Sequence, residues 1–350
     1  MTELNRRSLF KAGVLLAGAG SLPLASAAPA SAVPHAPKVL AKGLVLPWSL
    51  TFLPDGNALT GERDTRKVFR ISKAGGRQLV GTVSGGATRL FALALSPDYA
   101  TDNLLYAHIR TATDARVIAM TYTAAAGLGT PRVIFSGIPS GNDHHGGGLV
   151  FSPDKQFLFV SVGDKATPAE VQKNTSLIGK ILRIRPDGSI PADNPWGNAA
   201  WSKGHRNVEG MSFDAAGRLW ATEFGEDTTD EVNQIVKGGN YGWPTVEGGD
   251  GPGPVRDPFV TWSPTSTCSP AGIAVKNGYA YVGALMGHCV FRVKLTKPNQ
   301  REVLPFFQES FGRIRWVQAA PDGSLWFTTG NNDPMFPHIA ADDRVVRFLP

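Results

Sequence analysis

The chain has 350 residues, a formal charge of +6, 40 glycines, 26 prolines and two cysteines. This length allows a large hydrophobic core, and an all-β domain of this size can form a single unit. The charge is too small and too dispersed to indicate nucleic-acid binding, but it is compatible with an anionic small ligand or surface. Abundant glycine and proline without a long amphipathic pattern predict short strands joined by turns.

The first 32 residues predict an export signal. Residues 5–11 read N-R-R-S-L-F-K, a twin-arginine signature, and an apolar run from residue 12 to residue 24 leads to A-S-A cleavage sites at 25–27 and 30–32. That run is too short and too rich in glycine for a membrane span, and no later stretch is apolar enough. We expect residues 33–350 to form one exported domain, secreted or periplasmic, with a formal charge of +4 because the signal holds three basic residues and one acidic residue.

A unit of apolar strand, turn and apolar strand recurs along the rest of the chain. Its turns contain Asp55, Asp98, Asp154, Asp214, Asn277 and Asp322. Repeats about 40 to 60 residues apart are typical of four-stranded propeller blades. The sequence therefore predicts an all-β fold, a six-bladed β-propeller with four-stranded antiparallel blades. The last strand, near residues 344–348, is expected to pair with the segment near residues 38–40 and so close the ring.

Three polar segments precede strands that would be the innermost strands of their blades. They are D-H-H-G-G-G at 143–148, G-H-R-N at 204–207 and G-R-I-R at 312–315. In a propeller these loops meet at one end of the channel, and a histidine there can act as a general base near neutral pH. The alternative is that His144 and His145 merely cap a surface strand, and that Arg313 and Arg315 form salt bridges with Asp230 or Glu231.

Several motifs follow one another in the order and spacing of a known family. They are L-P-W-S-L at 46–50, G-K-I-L-R-I at 179–184, P-D-G-S-I-P-A-D-N-P at 186–195, the G-H-R-N segment, D-E-V-N at 230–233, G-N-Y-G-W-P at 239–244 and R-I-R at 313–315. On these residues the mature chain resembles the soluble aldose sugar dehydrogenases that depend on pyrroloquinoline quinone (PQQ), in the glucose/sorbosone dehydrogenase family. The resemblance implies oxidation of an aldose or related sugar alcohol group by hydride transfer to PQQ, with Ca²⁺ as Lewis acid.

The resemblance also implies roles for individual residues. His144 matches the general base, and Asp143 is expected to orient its imidazole. Arg206 and Asn207 match the pair that contacts the quinone oxygens and the reacting sugar, and Arg206 is therefore also counted as catalytic. Arg313 and Arg315 match two arginines that face the cofactor, and arginine suits a tricarboxylate. Gly225 and Glu226 match the residues whose main-chain carbonyls hold Ca²⁺.

The chain departs from the family at several of these positions. Met286 replaces a lysine, Ala87 and Glu209 replace glutamines, Phe224 replaces a histidine or glutamine, and Gly148 replaces an arginine. Together the changes remove a cation and several amides, and they add an apolar wall and a carboxylate. If PQQ binds, Glu209 is expected to turn away from its carboxylates or to pair with Arg206.

Two other functions stay open from the sequence. A propeller that has lost the quinone would bind a carbohydrate or a partner protein, and a Ca²⁺-assisted hydrolase is the third possibility because fold does not fix function. The dehydrogenase would need an external electron acceptor, since no haem-attachment motif is present. The chain is expected to be a monomer or homodimer. A disulfide between Cys268 and Cys289 is left open, because the two fall on neighbouring predicted strands.

Overall fold

The computed structural model describes residues 36–141, 143–251, 253–296, 303–337, 339 and 342–350. The predicted export signal lies outside these residues and stays a prediction. The first strand, β1 (Lys38–Leu44), pairs with a strand at the other end of the chain. No helix in these ranges is long and apolar enough to cross a membrane.

Six antiparallel sheets follow one another within the described residues. Blade 1 contains β2 (Pro47–Phe52), β3 (Ala58–Glu62), β4 (Lys67–Ile71) and β5 (Arg77–Thr82). Blade 2 contains β6 (Arg89–Leu95), β7 (Leu104–Arg110), β8 (Ala115–Thr123) and β10 (Arg132–Ile138), with the short β9 (Gly127–Leu128) added to β8. Blade 3 contains β11 (Leu149–Phe151), β12 (Leu158–Val162), β13 (Lys180–Ile184) and β14 (Ala200–Lys203).

The second half of the ring repeats this plan. Blade 4 contains β15 (Val208–Phe213), β16 (Leu219–Glu223), β17 (Asp230–Ile235) and β18 (Val260–Trp262). Blade 5 contains β19 (Pro270–Lys276), β20 (Tyr279–Ala284), β21 (Cys289–Lys294) and β22 (Val303–Phe306). Blade 6 contains β23 (Ile314–Ala319), β24 (Leu325–Thr329), β25 (Asp343–Phe348) and β1. One helical turn, α1 (Tyr99–Asp102), and two 3₁₀ turns (Pro168–Glu170 and Thr265–Thr267) lie in connections.

The repeated turns join the first two strands of each blade, as predicted. In four of them the aspartate carboxylate accepts a hydrogen bond from the main-chain N–H two residues later, at Asp55, Asp154, Asp214 and Asp322. This local bond is the reason that aspartate favours such turns. The sequence repeat therefore reflects the same aspartate-stabilised turn, formed at the same place in successive blades.

The first strand of each blade packs against the first strand of the next, and β23 packs against β2, which closes the ring. The hydrophobic core lies between adjacent blades, in one main buried cluster for each pair. The predicted closure by the two chain ends is confirmed, because Val39 pairs with Val346 and Lys38 pairs with Arg347. The prediction of a six-bladed β-propeller is therefore correct.

Cys268 and Cys289 lie together in a small buried cluster with Ala284. Both are free thiols, so the structure does not contain the disulfide that the sequence left open.

Candidate active site

A cavity of about 160 Å³ opens at one end of the central channel. In each blade the first two strands form an antiparallel hairpin, so the start of the first strand and the end of the second lie at the same end of the ring. The loops before β11 and β15 and the starts of β2, β6, β15 and β23 meet there with the loops after β3, β16 and β24. Six of the predicted site residues line this cavity: Asp143, His144, Arg206, Asn207, Glu209 and Arg315.

β-bulges direct several of these side chains into the cavity. Pairing skips one residue near the start of four innermost strands, and the skipped residues are Trp48, Phe91, Glu209 and Arg315. A bulge leaves one residue unpaired and re-aims its side chain. All four skipped residues line the cavity. The bulges therefore orient these four side chains so that they line the cavity.

His144 is held by a buried carboxylate. Nδ1 of His144 lies 2.6 Å from Oδ1 of Asp164. The same Oδ1 atom accepts a hydrogen bond from the Ala166 N–H, and the other oxygen, Oδ2, accepts one from Trp243 Nε1 at 2.8 Å. Burial alone would raise the pKa of Asp164, but these hydrogen bonds, led by that from His144, hold it below its ordinary value. An ionised Asp164 accepts the Nδ1 proton and leaves Nε2 as the basic nitrogen. The expectation that Asp143 orients His144 is therefore wrong, because Asp143 is exposed and Asp164 makes the contact.

The backbone around this pair is unusual. His144 has φ of +46°, and Lys165 and Ala166, directly after Asp164, have φ of +54° and +55°. Non-glycine residues in this region cost free energy, and they concentrate at functional sites. Gly163 allows the close approach, since a Cβ there would lie 2.0 Å from the His144 carbonyl oxygen.

A buried charge network covers one wall of the cavity. Glu209 accepts from Asn207 Nδ2 at 2.9 Å and from Arg315 Nη1 at 3.0 Å, and Arg315 Nη2 also binds Asp333 at 3.0 Å. Burial raises the pKa of Glu209, and Arg315 opposes that shift. Glu209 thus pairs with Arg315, whereas the expectation for the quinone-bound protein named Arg206.

Arg315 and Arg63 share both a carboxylate and an aromatic ring. Arg63 Nη1 lies 3.4 Å from Oδ2 of Asp333, the carboxylate that Arg315 also binds. The guanidinium group of Arg315 lies 3.8 Å from the centroid of the Trp48 ring, and that of Arg63 lies 4.7 Å from it. Cations over an indole ring are attracted by its electrons, and more strongly where water is excluded.

The alternative salt bridges from Arg313 and Arg315 to Asp230 or Glu231 are not formed. Asp230 accepts hydrogen bonds from the main-chain N–H groups of Gly225 and Ser269, and Glu231 accepts one from that of Gly248.

Arg313 does not line the cavity. Its Nη2 donates to the Pro337 carbonyl, and its guanidinium lies 5.0 Å from the centroid of Phe336, which does line the cavity. The resemblance led us to expect both Arg313 and Arg315 to face the cofactor, and a regular strand alternation would indeed turn both side chains to one face. The bulge between Ile314 and Trp316 breaks that alternation, so Arg313 supports the wall from behind.

The two residues predicted to hold Ca²⁺ lie in the loop after β16. Gly225 lies at a small adjoining cavity that Arg206 also lines, and Glu226 is exposed. The Gly225 N–H donates to Asp230 and the Glu226 N–H donates to Glu247. A trans amide points its C=O opposite to its N–H, so the carbonyls of Phe224 and Gly225 face away from these carboxylates. The loop is therefore fixed with its own carbonyl oxygens available on the other side.

The positions that depart from the family have different environments. Phe224 lines the cavity as part of its apolar wall. Ala87 is buried in the core between blades 1 and 2, and Arg66 Nη1 binds its carbonyl at 2.7 Å. At Gly148 a Cβ would lie 2.9 Å from Met211 Cε, so a larger side chain would require Met211 to move. Met286 donates its N–H to Cys268 and is absent from the cavity lining.

Sequence reasoning missed Asp164, Arg63, Arg89 and Asp333. Each lies at the mouth, and three of them follow the second strand of a blade: Arg63 after β3, Asp164 after β12 and Asp333 after β24. In the sequence, these three positions could have been found as charged residues that follow the second apolar strand of a blade within a few residues. His205, by contrast, is fully buried, and its ring nitrogens contact Ser202 and Glu223, away from the cavity lining.

Comparisons with known proteins agree with this geometry. The family model for glucose/sorbosone dehydrogenase matches residues 44–336. A solved PQQ-bound form of aldose sugar dehydrogenase from Streptomyces coelicolor is 37% identical, covers 91% of this chain and 99% of its own, and superposes with a TM-score of 0.85. Aldose sugar dehydrogenase YliI of Escherichia coli K12 is 28% identical over 338 residues, 83% of this chain and 89% of its own.

A match over part of the chain is quinoprotein glucose dehydrogenase B of Acinetobacter calcoaceticus. It is 32% identical over 254 residues, which are 60% of this chain and 52% of that protein. The family model covers well over half of the chain and spans the segments that build the cavity. The chain belongs to the glucose/sorbosone dehydrogenase family.

Proposed function

We propose that the protein is an exported PQQ-dependent dehydrogenase that oxidises the C1 hydroxyl of an aldose or a related sugar. The observation that carries the proposal is the His144–Asp164 pair, which faces the same cavity as Arg206, Asn207 and Arg315. Membership of the family supports the reaction class. The twin-arginine signature supports export of the chain.

The charge of the cavity suits a tricarboxylate accompanied by Ca²⁺. Among the described residues that line it, four are arginines (Arg63, Arg89, Arg206 and Arg315) and three are carboxylates (Asp143, Glu209 and Asp333). With neutral histidines this leaves one positive charge, and a bound Ca²⁺ would add two more, so the cavity as a whole favours anionic ligands. Several buried nitrogens at the cavity also have no hydrogen-bond partner in the described residues: Arg206 Nε, Arg315 Nε and Trp48 Nε1.

We therefore assign Arg206, Asn207 and Arg315 to the quinone and the main-chain carbonyl of Gly225 to Ca²⁺, together with the carbonyl of Glu226 that the family resemblance implies. When bound, the quinone would supply the acceptor for two electrons as hydride, with Ca²⁺ polarising its carbonyl. An external acceptor would then remove the electrons.

The chain's own contribution is proton transfer and exclusion of water. His144 Nε2 would take the hydroxyl proton as hydride leaves C1, which converts the hemiacetal carbon to a lactone carbonyl. Asp164 would stabilise the imidazolium that forms. Phe91, Phe224 and Phe336 give the cavity an apolar wall, which strengthens the electrostatic interactions within it.

Replacement of His144 by glutamine tests the proposal. In enzyme loaded with PQQ and Ca²⁺, His144→Gln should lower dye-coupled turnover of an aldose by roughly 10²- to 10⁴-fold, because a positioned base contributes about that much. The affinity for PQQ should change little. His288→Gln is a matched control, since His288 lies outside the cavity lining and pairs with the exposed Glu309. Wild-type turnover in His144→Gln would remove the base from the proposal.

A further inference from the structure

Arg89 brings a cation to the substrate cavity. It is the first residue of β6, it lines the cavity together with His144, and its side chain is 31% exposed. Ala87, two residues earlier, points into the core between blades 1 and 2. At this entry to blade 2, the polar side chain that lines the cavity is therefore that of Arg89.

Contacts with His145 fix the position of Arg89. Arg89 Nη1 lies 3.2 Å from His145 Nε2, and because arginine only donates, Nε2 must accept. The His145 ring stacks on Phe91 with centroids 4.9 Å apart, and its carbonyl accepts from Lys165 Nζ at 3.0 Å. The guanidinium is thus held on a rigid imidazole next to the proposed base.

Arg89 is poorly neutralised by the protein. Among the described residues its nearest carboxylate is Asp64, 3.5 Å from Nε, and Asp64 is already bound by Nε and Nη2 of Arg63 at 2.9 Å and 2.8 Å. Burial and the positive charges of Arg63 and Arg110 lower the pKa of Arg89, and the charges of Asp64 and Asp333 oppose this shift without cancelling it. A guanidinium has five N–H donors, so the contact with His145 leaves others for a ligand.

We propose that Arg89 is a specificity-determining residue that binds an anionic group of the sugar, so that the substrate class is an aldose bearing a carboxylate or a phosphate. The anion would complete the neutralisation of Arg89 and place C1 near His144. A charge-assisted, bidentate contact of this kind is stronger than one to a neutral hydroxyl. The inference rests on the proposed dehydrogenase function.

Kinetics with matched sugars test the inference. Glucuronate, glucose 6-phosphate and glucose share a pyranose ring, and they separate a carboxylate, a phosphate and a neutral substrate. The PQQ- and Ca²⁺-loaded wild-type enzyme should oxidise one of the two anions with kcat/KM at least about tenfold above that for glucose. Arg89→Gln should lower that value by roughly 10- to 100-fold and change kcat/KM for glucose by less than about threefold.

Four further measurements make the test specific. PQQ affinity and thermal unfolding of Arg89→Gln should equal those of the wild type, and Arg89→Lys should retain part of the anion preference. Arg132→Gln, which removes an exposed arginine from the outer strand β10, should change nothing.

Each other outcome has a distinct meaning. Preference for glucose in the wild type, or equal losses for all three sugars in Arg89→Gln, would overturn the assignment of Arg89. A loss of PQQ affinity in Arg89→Gln would assign Arg89 to the cofactor instead, and would also overturn it. No turnover of any aldose by wild-type enzyme with bound quinone would refute the dehydrogenase function itself, and this inference with it.

Discussion

Replacement of Asp164 by asparagine should uncouple His144 from its role as a base. Asp164 Oδ1 accepts from His144 and from the Ala166 N–H, while Oδ2 accepts from Trp243 Nε1. An asparagine cannot satisfy all three donors. If its amide NH₂ faces Trp243, two donors oppose each other. If the NH₂ faces His144, it forces Nδ1 to accept and moves the ring proton to Nε2, which can then no longer act as a base.

The size of the effect follows from the lost charge. A hydrogen bond to a charged partner contributes about 1.5–3 kcal/mol, which corresponds to roughly a 10- to 150-fold fall in kcat for Asp164→Asn. The double variant Asp164→Asn/Trp243→Phe should recover part of this loss, because phenylalanine lets the NH₂ turn away from His144. Trp243→Phe alone is the control, since Trp243 also lies 5.5 Å from Arg206.

The assay is steady-state turnover at saturating PQQ and Ca²⁺ as a function of pH. The rising limb of the kcat profile should shift to lower pH in Asp164→Asn, because the carboxylate charge that stabilises the imidazolium has been removed. Unchanged kcat with an unchanged profile would refute the reasoning about this pair.

Two further predictions concern the scaffold. Gly163→Ala should destabilise the fold by about 1–3 kcal/mol and reduce turnover, because its Cβ would lie 2.0 Å from the His144 carbonyl oxygen. Gly330→Ala is the control, since its Cβ would make only ordinary contacts, the shortest at 3.4 Å. Equal unfolding midpoints for the two variants would contradict this prediction. Burial raises the pKa of Asp230 to about 7, so the folded state keeps a proton that the unfolded chain loses near its ordinary value of 3.8. Asp230 should therefore contribute a fall in the free energy of unfolding, on the order of 2–4 kcal/mol, as pH rises from about 4 through 7. Over this range the wild type should lose that much stability relative to Asp230→Asn, and a constant difference between their urea midpoints would contradict it.

The architecture could be predicted from the sequence because its determinants are local. Aspartates such as Asp55 and Asp322 bind their own main chain two residues later, so each turn is specified by a few adjacent residues. The strands after the turns are short and apolar because the core lies between blades. Ring closure could be predicted because an unpaired strand at each chain end leaves an exposed edge.

The site could be predicted only in part, because its geometry depends on bulges and on hairpin ends. A period of two predicts that Arg313 and Arg315 share a face, and the bulge at Arg315 separates them. Proximity in sequence favoured Asp143 as the partner of His144, whereas Asp164 reaches it from the end of the neighbouring strand. Such contacts follow from how two strands pair, which single positions in a sequence do not reveal.

The most direct test of the account is a calorimetric titration of the mature, chelator-stripped protein with PQQ, with and without Ca²⁺. Within the part of the chain that the structure describes, the cavity combines one excess positive charge with buried Nε atoms of Arg206 and Arg315 that have no hydrogen-bond partner. We expect saturable binding of one quinone that strengthens markedly when Ca²⁺ is present. Absence of binding in both conditions would contradict the assignment of this cavity to the quinone.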